Sequence, residues 1–158
     1  MAEYIWFTGI TGPCAKASHE GWIEVTNWGW NCAREASGGN QIGLASGIAK
    51  FENLHFEATI GSATIAMFQK MLNGTHFDEV KIECTKNTGG AEPEAWMKVT
   101  LKHVLVMSVE QSVESDTAND TVNLSFSQCN VKIADQKADG SLDTEKEFSY
   151  DLTTAKVS

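Results

Sequence analysis

The chain has 158 residues, 42% of them apolar, and a formal net charge of −9. That apolar share supports a sizeable core and excludes a disordered chain, and the negative charge repels a phosphate backbone, which argues against general nucleic-acid binding. Four cysteines with no C-x-x-C pair lack the spacing of a structural zinc site, so reduced, mostly buried thiols are expected.

The opening stretch, MAEYIWFTGI, has no basic start and no apolar run of signal-peptide length. No later segment approaches the apolar length of a membrane helix. The chain is therefore expected to be made in the cytoplasm, to insert in no membrane and, if it leaves the cell, to leave without a cleaved signal. Cys14 falls in the turn after the first strand and is expected to be the most exposed thiol.

Next comes HEGWIEVTNWGW, His19 to Trp30, which holds three of the five tryptophans. His19 and Glu20 are adjacent, so on a strand they point to opposite faces and make no acid–base pair on one substrate. They read as polar residues at a turn entering a strand. Trp28 and Trp30, two apart, share a face; a packed core is the expected use, a ligand-stacking platform the alternative.

Residues 33–49, AREASGGNQIGLASGIA, are rich in Gly, Ser and Ala and show no periodicity. A long irregular loop used for contact is expected. Glycines are plentiful there, but a phosphate loop would need a lysine and a following helix. In FENLHFEATI, alternation puts Leu54, Phe56, Ala58 and Ile60 on one strand face. SATIAMFQKMLNG then changes to helical spacing. A helix over 62–73 is expected to lay Ile65, Phe68 and Leu72 on the body and to expose Gln69 and Lys70. Ser62 or Thr64 can cap its start, and Gly74 stands at a left-handed stop.

DEVKIEC again alternates, with Val80, Ile82 and Cys84 inward. WMKVTLKHVLVMSV shows Met97, Val99, Leu101, Leu105, Met107 and Val109 on one face, then turns apolar on the other at Val104 and Val106. A long strand covered on both faces in its far half is expected, with His103 a hydrogen-bonded core histidine. Glu114 to Asp120 read as a polar loop. TVNLSFSQCNVKIA changes phase between Phe126 and Cys129, which calls for a bulge or bend near Ser127–Gln128. The sum is a mainly β chain of about seven strands and one helix. With no repeat or linker, residues 1–158 read as a single domain. The remaining histidines, His55 and His76, have no ligand spacing, and no G-x-S-x-G elbow is present. No catalytic residue, metal or cofactor is expected.

Taken together and in order, HEGWIEVTNWGW, KFENLHFEATIGSATIAMFQKMLNG, MKVTLKHVLVMSV and VNLSFSQCNVKI…QKADG resemble the haemolysin-coregulated protein (Hcp) family, the tube protein of type VI secretion. The resemblance covers nearly the whole chain. It implies a small closed or nearly closed antiparallel β-barrel with one short helix packed on its side, related in fold to phage tail-tube proteins. It further implies that six copies close into a ring and that rings stack into a tube, which a contractile sheath expels with a VgrG-type spike at its tip. The lumen would hold effector proteins. By the same resemblance the 33–49 loop reaches adjacent subunits, so Arg34, Glu35, Ser37, Gly38, Gly39, Asn40, Gln41, Ile42, Gly43 and Leu44 are the expected ring or stacking contacts. Asn27, Gly29 and Asn31 would face the lumen; the family often has a small hydroxyl residue where this chain has Gly29. Two other readings stand beside it: a small-molecule-binding barrel using Trp28 and Trp30, and a secreted hydrolase using His19 or His103. From alternation, Trp28, Trp30, Leu54, Phe56, Leu101 and Phe126 are the expected core.

Overall fold

The computed structural model describes residues 1–37 and 45–158, with no account of the side chains of 35–37 and 45–48. Its elements, in order, are β1 (Ala2–Phe7), β2 (Ile23–Gly29), β3 (Cys32–Ser37), β4 (Ala45–Phe51), β5 (Leu54–Thr59), α1 (Ala63–Asn73), β6 (Phe77–Lys86), β7 (Glu94–Val113), β8 (Ala118–Ser125), β9 (Gln128–Ile133), β10 (Lys146–Asp151) and β11 (Lys156–Val157). Six strands follow one another as β7-β6-β1-β2-β5-β8, and a further β7–β8 pairing closes them into an antiparallel barrel. Closure removes the exposed edges that an open sheet would present. Strands β9, β10 and β11 continue outward from β7, while β3 and β4 form a separate two-stranded sheet.

The 20-residue strand β7 makes both arrangements possible. Residues Met97–Lys102 pair with β9, and Leu105–Val113 pair with β8. The expected bend near Ser127 is therefore a complete break between two strands, with the Ser127 N–H and hydroxyl both donating to the Lys102 carbonyl. The strand also changes face, and its far half is not covered on both sides as the apolar run suggested. Leu101 and Val104 are both buried although three apart, as are their cross-strand partners Val80 and Phe77. Lys102 and His103 are turned out between them, His103 at φ 52°. His103 is thus a surface residue and not a core histidine: at this bend in the sheet, two successive residues point to solvent. Beyond it Val106 is buried, while the register slips and Met107 is pushed to the surface.

Leu54, Phe56, Leu101 and Phe126 lie in the core, as alternation predicts. Trp28 and Trp30 are half-buried and pack against it from one end of the barrel. Trp30, Phe51, Phe126 and Tyr150 close that end as an aromatic cluster, with ring centroids 5.1–5.9 Å apart.

Helix α1 closes the other end, and here the expected orientation is wrong. Thr64 and Met67 are buried, and Met71 packs on the core. Ile65 is 62% exposed and Leu72 77% exposed. Five large apolar side chains, at 65, 67, 68, 71 and 72, give the helix two candidate faces. A polar contact selects one: the Thr64 hydroxyl donates to buried Asp120, whose other oxygen accepts from Gln111 Nε2 at 3.0 Å. Breaking that pairing would bury an uncompensated carboxylate. Ser62 is the N-cap without a side-chain bond, and Thr64 Oγ1 accepts the Gly61 N–H. Gly74, at φ 65°, ends the helix in the left-handed conformation that its missing Cβ allows.

The expected loop of 33–49 is, where described, a hairpin. β3 and β4 pair antiparallel from Cys32↔Phe51 to Ser37↔Ala45, with a slip between Arg34 and Ala36. Of its described side chains, only Phe51, at the base, packs against the barrel core. The described residues form eleven strands against about seven expected, the hairpin, the division of the β8–β9 segment and the short C-terminal strands being the main differences.

Candidate functional site

The base of the hairpin is fastened to the barrel. The Glu52 N–H donates to the Asn31 carbonyl at 2.8 Å, and Phe51 lies in the aromatic cluster. Arg34 is exposed on β3. Glu35 and Ser37 are placed on β3 by their backbone, whereas Gly38, Gly39, Asn40, Gln41, Ile42, Gly43 and Leu44 lie outside the described residues. Among the described residues the hairpin pairs with no other strand of its own chain.

Asn27, Gly29 and Asn31 stand where β2 runs out toward the hairpin. Asn27 and Asn31 are exposed and Gly29 is half-buried. Pairing extends two of them into rows across four strands: Gly29–His55–Asn123–Ser108 and Asn27–Glu57–Thr121–Glu110. Side chains opposite one another on neighbouring strands share a face, so this outer face is a polar ladder. Within it Asn123 Nδ2 donates to Ser108 Oγ at 2.8 Å. A Cβ on Gly29 would stand 3.0 Å from His55 Cε1. His55 thus covers the position where the family resemblance implies a small hydroxyl residue. His55, Asn123 and Ser108 were not among the expected site residues. Alternation marks each as outward, but which strands stand side by side is a long-range fact.

The opposite flank, β6-β7-β9-β10, has a different chemistry. Its row Glu83–Lys98–Lys132–Glu147 carries a charge at each position. Lys98 donates to Glu145 at 2.8 Å and holds that carboxyl below its usual range. Lys132 and Glu147 stand 3.8 Å apart. Exposed pairs of this kind stabilise little, so the ladder is a surface property more than a fold determinant.

The residues that suggested catalysis are otherwise engaged. His19 is buried in the β1–β2 connection, with Nε2 2.6 Å from Glu83 and Nδ1 2.9 Å from Ser18 Oγ. Its ring stacks on Tyr4 at 4.1 Å. Both nitrogens have partners, so the ring is a tether between the connection and β6, and its partner is Glu83 rather than Glu20. Among the described residues no group of three or more His, Cys, Asp and Glu could hold a metal. Trp30 packs into the aromatic cluster, 6.3 Å from Trp28 and tilted to it. A cavity lined by Ile23, Phe56, Met67 and Val122 measures about 30 Å³, room for one water and not for a ligand. All four thiols are free. Cys32, not Cys14, is the exposed one. Cys14 is half-buried because its N–H donates to Trp22 and its carbonyl accepts from Gly21.

Six strands closed into an antiparallel barrel, one short helix and a separate hairpin define a β-barrel protein. The family model for the type VI secretion system effector Hcp matches residues 4–133, and the chain belongs to that family. Hcp proteins are the tube proteins of type VI secretion and are structural, not enzymatic. The chain is similar to Protein hcp1 of Pseudomonas aeruginosa strain PAO1, 29% identical over 136 residues that cover 85% of this chain and 83% of the relative. The fold matches the solved structure of a type six secretion system protein with a TM-score of 0.91, at 20% identity and 99% coverage of both chains. It also matches Hcp1 from Salmonella typhimurium with a TM-score of 0.81, at 24% identity, covering 99% of this chain and 98% of that one. Among the described residues no helix is long and apolar enough to cross a membrane.

Proposed function

We propose that this chain is the repeating subunit of a type VI secretion tube, six copies closing into a ring and rings stacking head to tail. The observation that carries this reading is the β3–β4 hairpin, which leaves a barrel already closed and has no strand partner in its own chain among the described residues. Such an element gains a partner when another subunit supplies one, and a ring of identical subunits needs a heterologous contact of this kind. The contact residues are Arg34, Glu35, Ser37 and the segment Gly38–Leu44. The polar ladder through Asn27 and Gly29, together with Asn31, faces the lumen and meets effector proteins there. A VgrG-type spike at the tip and a contractile sheath around the tube are the other partners. The protein stays in the cytoplasm until the machine fires and then lies outside the cell without signal cleavage.

The test is size exclusion with light scattering over a range of concentrations, together with negative-stain imaging. Hexameric rings with an open centre are expected. Deleting Gly38–Gly47 is expected to leave the barrel's circular dichroism intact and to weaken assembly. A parent chain that stays monomeric at every concentration would sink the reading; rings undisturbed by the deletion would move the interface away from the hairpin.

A further inference from the structure

We propose that the exposed apolar ridge of α1 seats in an apolar groove at the opposite end of the barrel of a second copy of this chain. This rests on the assembly reading above and adds a second contact to it. The ridge is Ile65 and Leu72, two helical turns apart, with Phe68 half-buried beside them. The helix has no acidic residue and one base, Lys70, whose ammonium lies 5.1 Å from the centroid of the Phe77 ring. The groove, about 480 Å³, is lined by Trp30, Phe51, Met97, Ile133, Phe148 and Val157 among others, and among the described residues no charged side chain lines it. Ile133 and Phe148 are each 39% exposed there.

The strands set the two surfaces apart. α1 lies against Ile23 and Ala58, and Asp120 and Val122 of β8, at one end of the barrel. The groove lies past the other ends of the same strands, beside Trp30 after β2 and the Phe126 cluster after β8. Ridge and groove therefore cannot meet within one molecule. Between copies they form a heterologous contact, which closes or propagates an assembly where an isologous one would stop at a pair. In a chain of net charge −9, copies repel unless they meet through uncharged surfaces. These are two such surfaces, and one chain carries both halves. The hairpin base supplies Ala49 and Phe51 to the groove wall, so a copy seated in the groove lies alongside the hairpin. The two contacts then act on the same neighbour.

The experiment uses the full chain. Assembly is followed by sedimentation over a concentration series for the parent, Leu72→Lys and Phe148→Lys, with thermal melts beside it. In a Cys14→Ser, Cys32→Ser background, Leu72→Cys and Phe148→Cys chains are mixed and treated with a short bis-maleimide. Each lysine variant is expected to raise the assembly midpoint at least about tenfold while melting like the parent. The mixed cysteine chains are expected to cross-link in pairs, and neither variant alone is. If the parent assembles, the lysine variants match it and no mixed cross-link forms, this contact is overturned while the assembly reading stands, and the groove takes a different occupant such as the neighbour's hairpin tip or a lipid. Cross-linking of Leu72→Cys chains to themselves would mean an isologous ridge contact and would also overturn it. A parent that never assembles removes both readings together.

Discussion

In the barrel, each inward position is apolar and each outward one is polar over long stretches; Leu54, Phe56 and Ala58 alternate with His55 and Glu57. In the hairpin that leaves it, Cys32–Ser37 and Ala45–Phe51 carry small residues with no such rhythm. Both regions are antiparallel strands, yet they are stabilised differently. The barrel satisfies its edges by closing on itself, so its stability is internal. Among the described residues the hairpin pairs only one edge of each strand, which leaves the other edges without a strand partner in the chain. In the proposed assembly, the same backbone geometry would serve folding in one region and association in the other. Side-chain patterning separates the two.

The sharpest test of the barrel half is Phe56→Ala. Phe56 is 2% exposed, and its ring lies 5.8 Å from that of Phe7, tilted at 49°. A loss of about 3–5 kcal/mol in denaturant melts is expected. A loss below about 1 kcal/mol would put this face outside the core.

His19 sharpens the boundary between barrel and connection. His19→Ala removes both hydrogen bonds and the Tyr4 stack, with an expected cost of about 1–3 kcal/mol. Glu83→Gln keeps a polar partner for the ring and should cost less. Equal losses in chemical denaturation would mean that packing, not the His19–Glu83 pairing, fastens the connection.

Gly29→Ser supplies the small hydroxyl residue that the family resemblance implies at this position. His55 stands in the way, so a destabilisation of about 1 kcal/mol is expected. Combining it with His55→Ala should recover part of that loss, a coupling that a double-mutant cycle reads directly. Strict additivity would show that the two positions do not touch.

The thiols give a pH-dependent comparison. Burial pushes Cys129 from an ordinary 9.0 up to about 11, with Cys32's charge adding to it, and burial also raises Cys84. A raised folded value means that the stability gained from the neutral thiols is complete below the unfolded value near 9 and is lost as pH rises toward 11. At pH 8, alkylation of the native protein should mark Cys32 first and Cys14 more slowly. Cys84 and Cys129 should react on unfolding, as peptide mapping would show. The smallest effect on the fold belongs to the hairpin: deleting Gly38–Gly47 should shift the barrel's denaturation by no more than about 0.5 kcal/mol. A larger loss would make the hairpin part of the barrel's own stability and erase the contrast.

The sequence by itself determined the strand faces outside the far half of β7, the existence of one helix, its stop at Gly74 and, through ordered motifs, the family. Those features repeat with local period, or rest on one residue's backbone freedom, and so can be read along the chain. The hairpin escaped that reading because its strands, Cys32–Ser37 and Ala45–Phe51, carry no hydrophobic period. Tertiary structure alone decided which side of α1 is buried, since two faces were equally apolar and the choice fell to Asp120, 56 residues from Thr64. It also decided that His103 turns outward at a sheet bend, that His19 pairs with Glu83 across 64 residues, and that His55 covers Gly29. Each depends on which strands become neighbours. That is set by closing the barrel, a global balance of burial and pairing that no window of sequence contains.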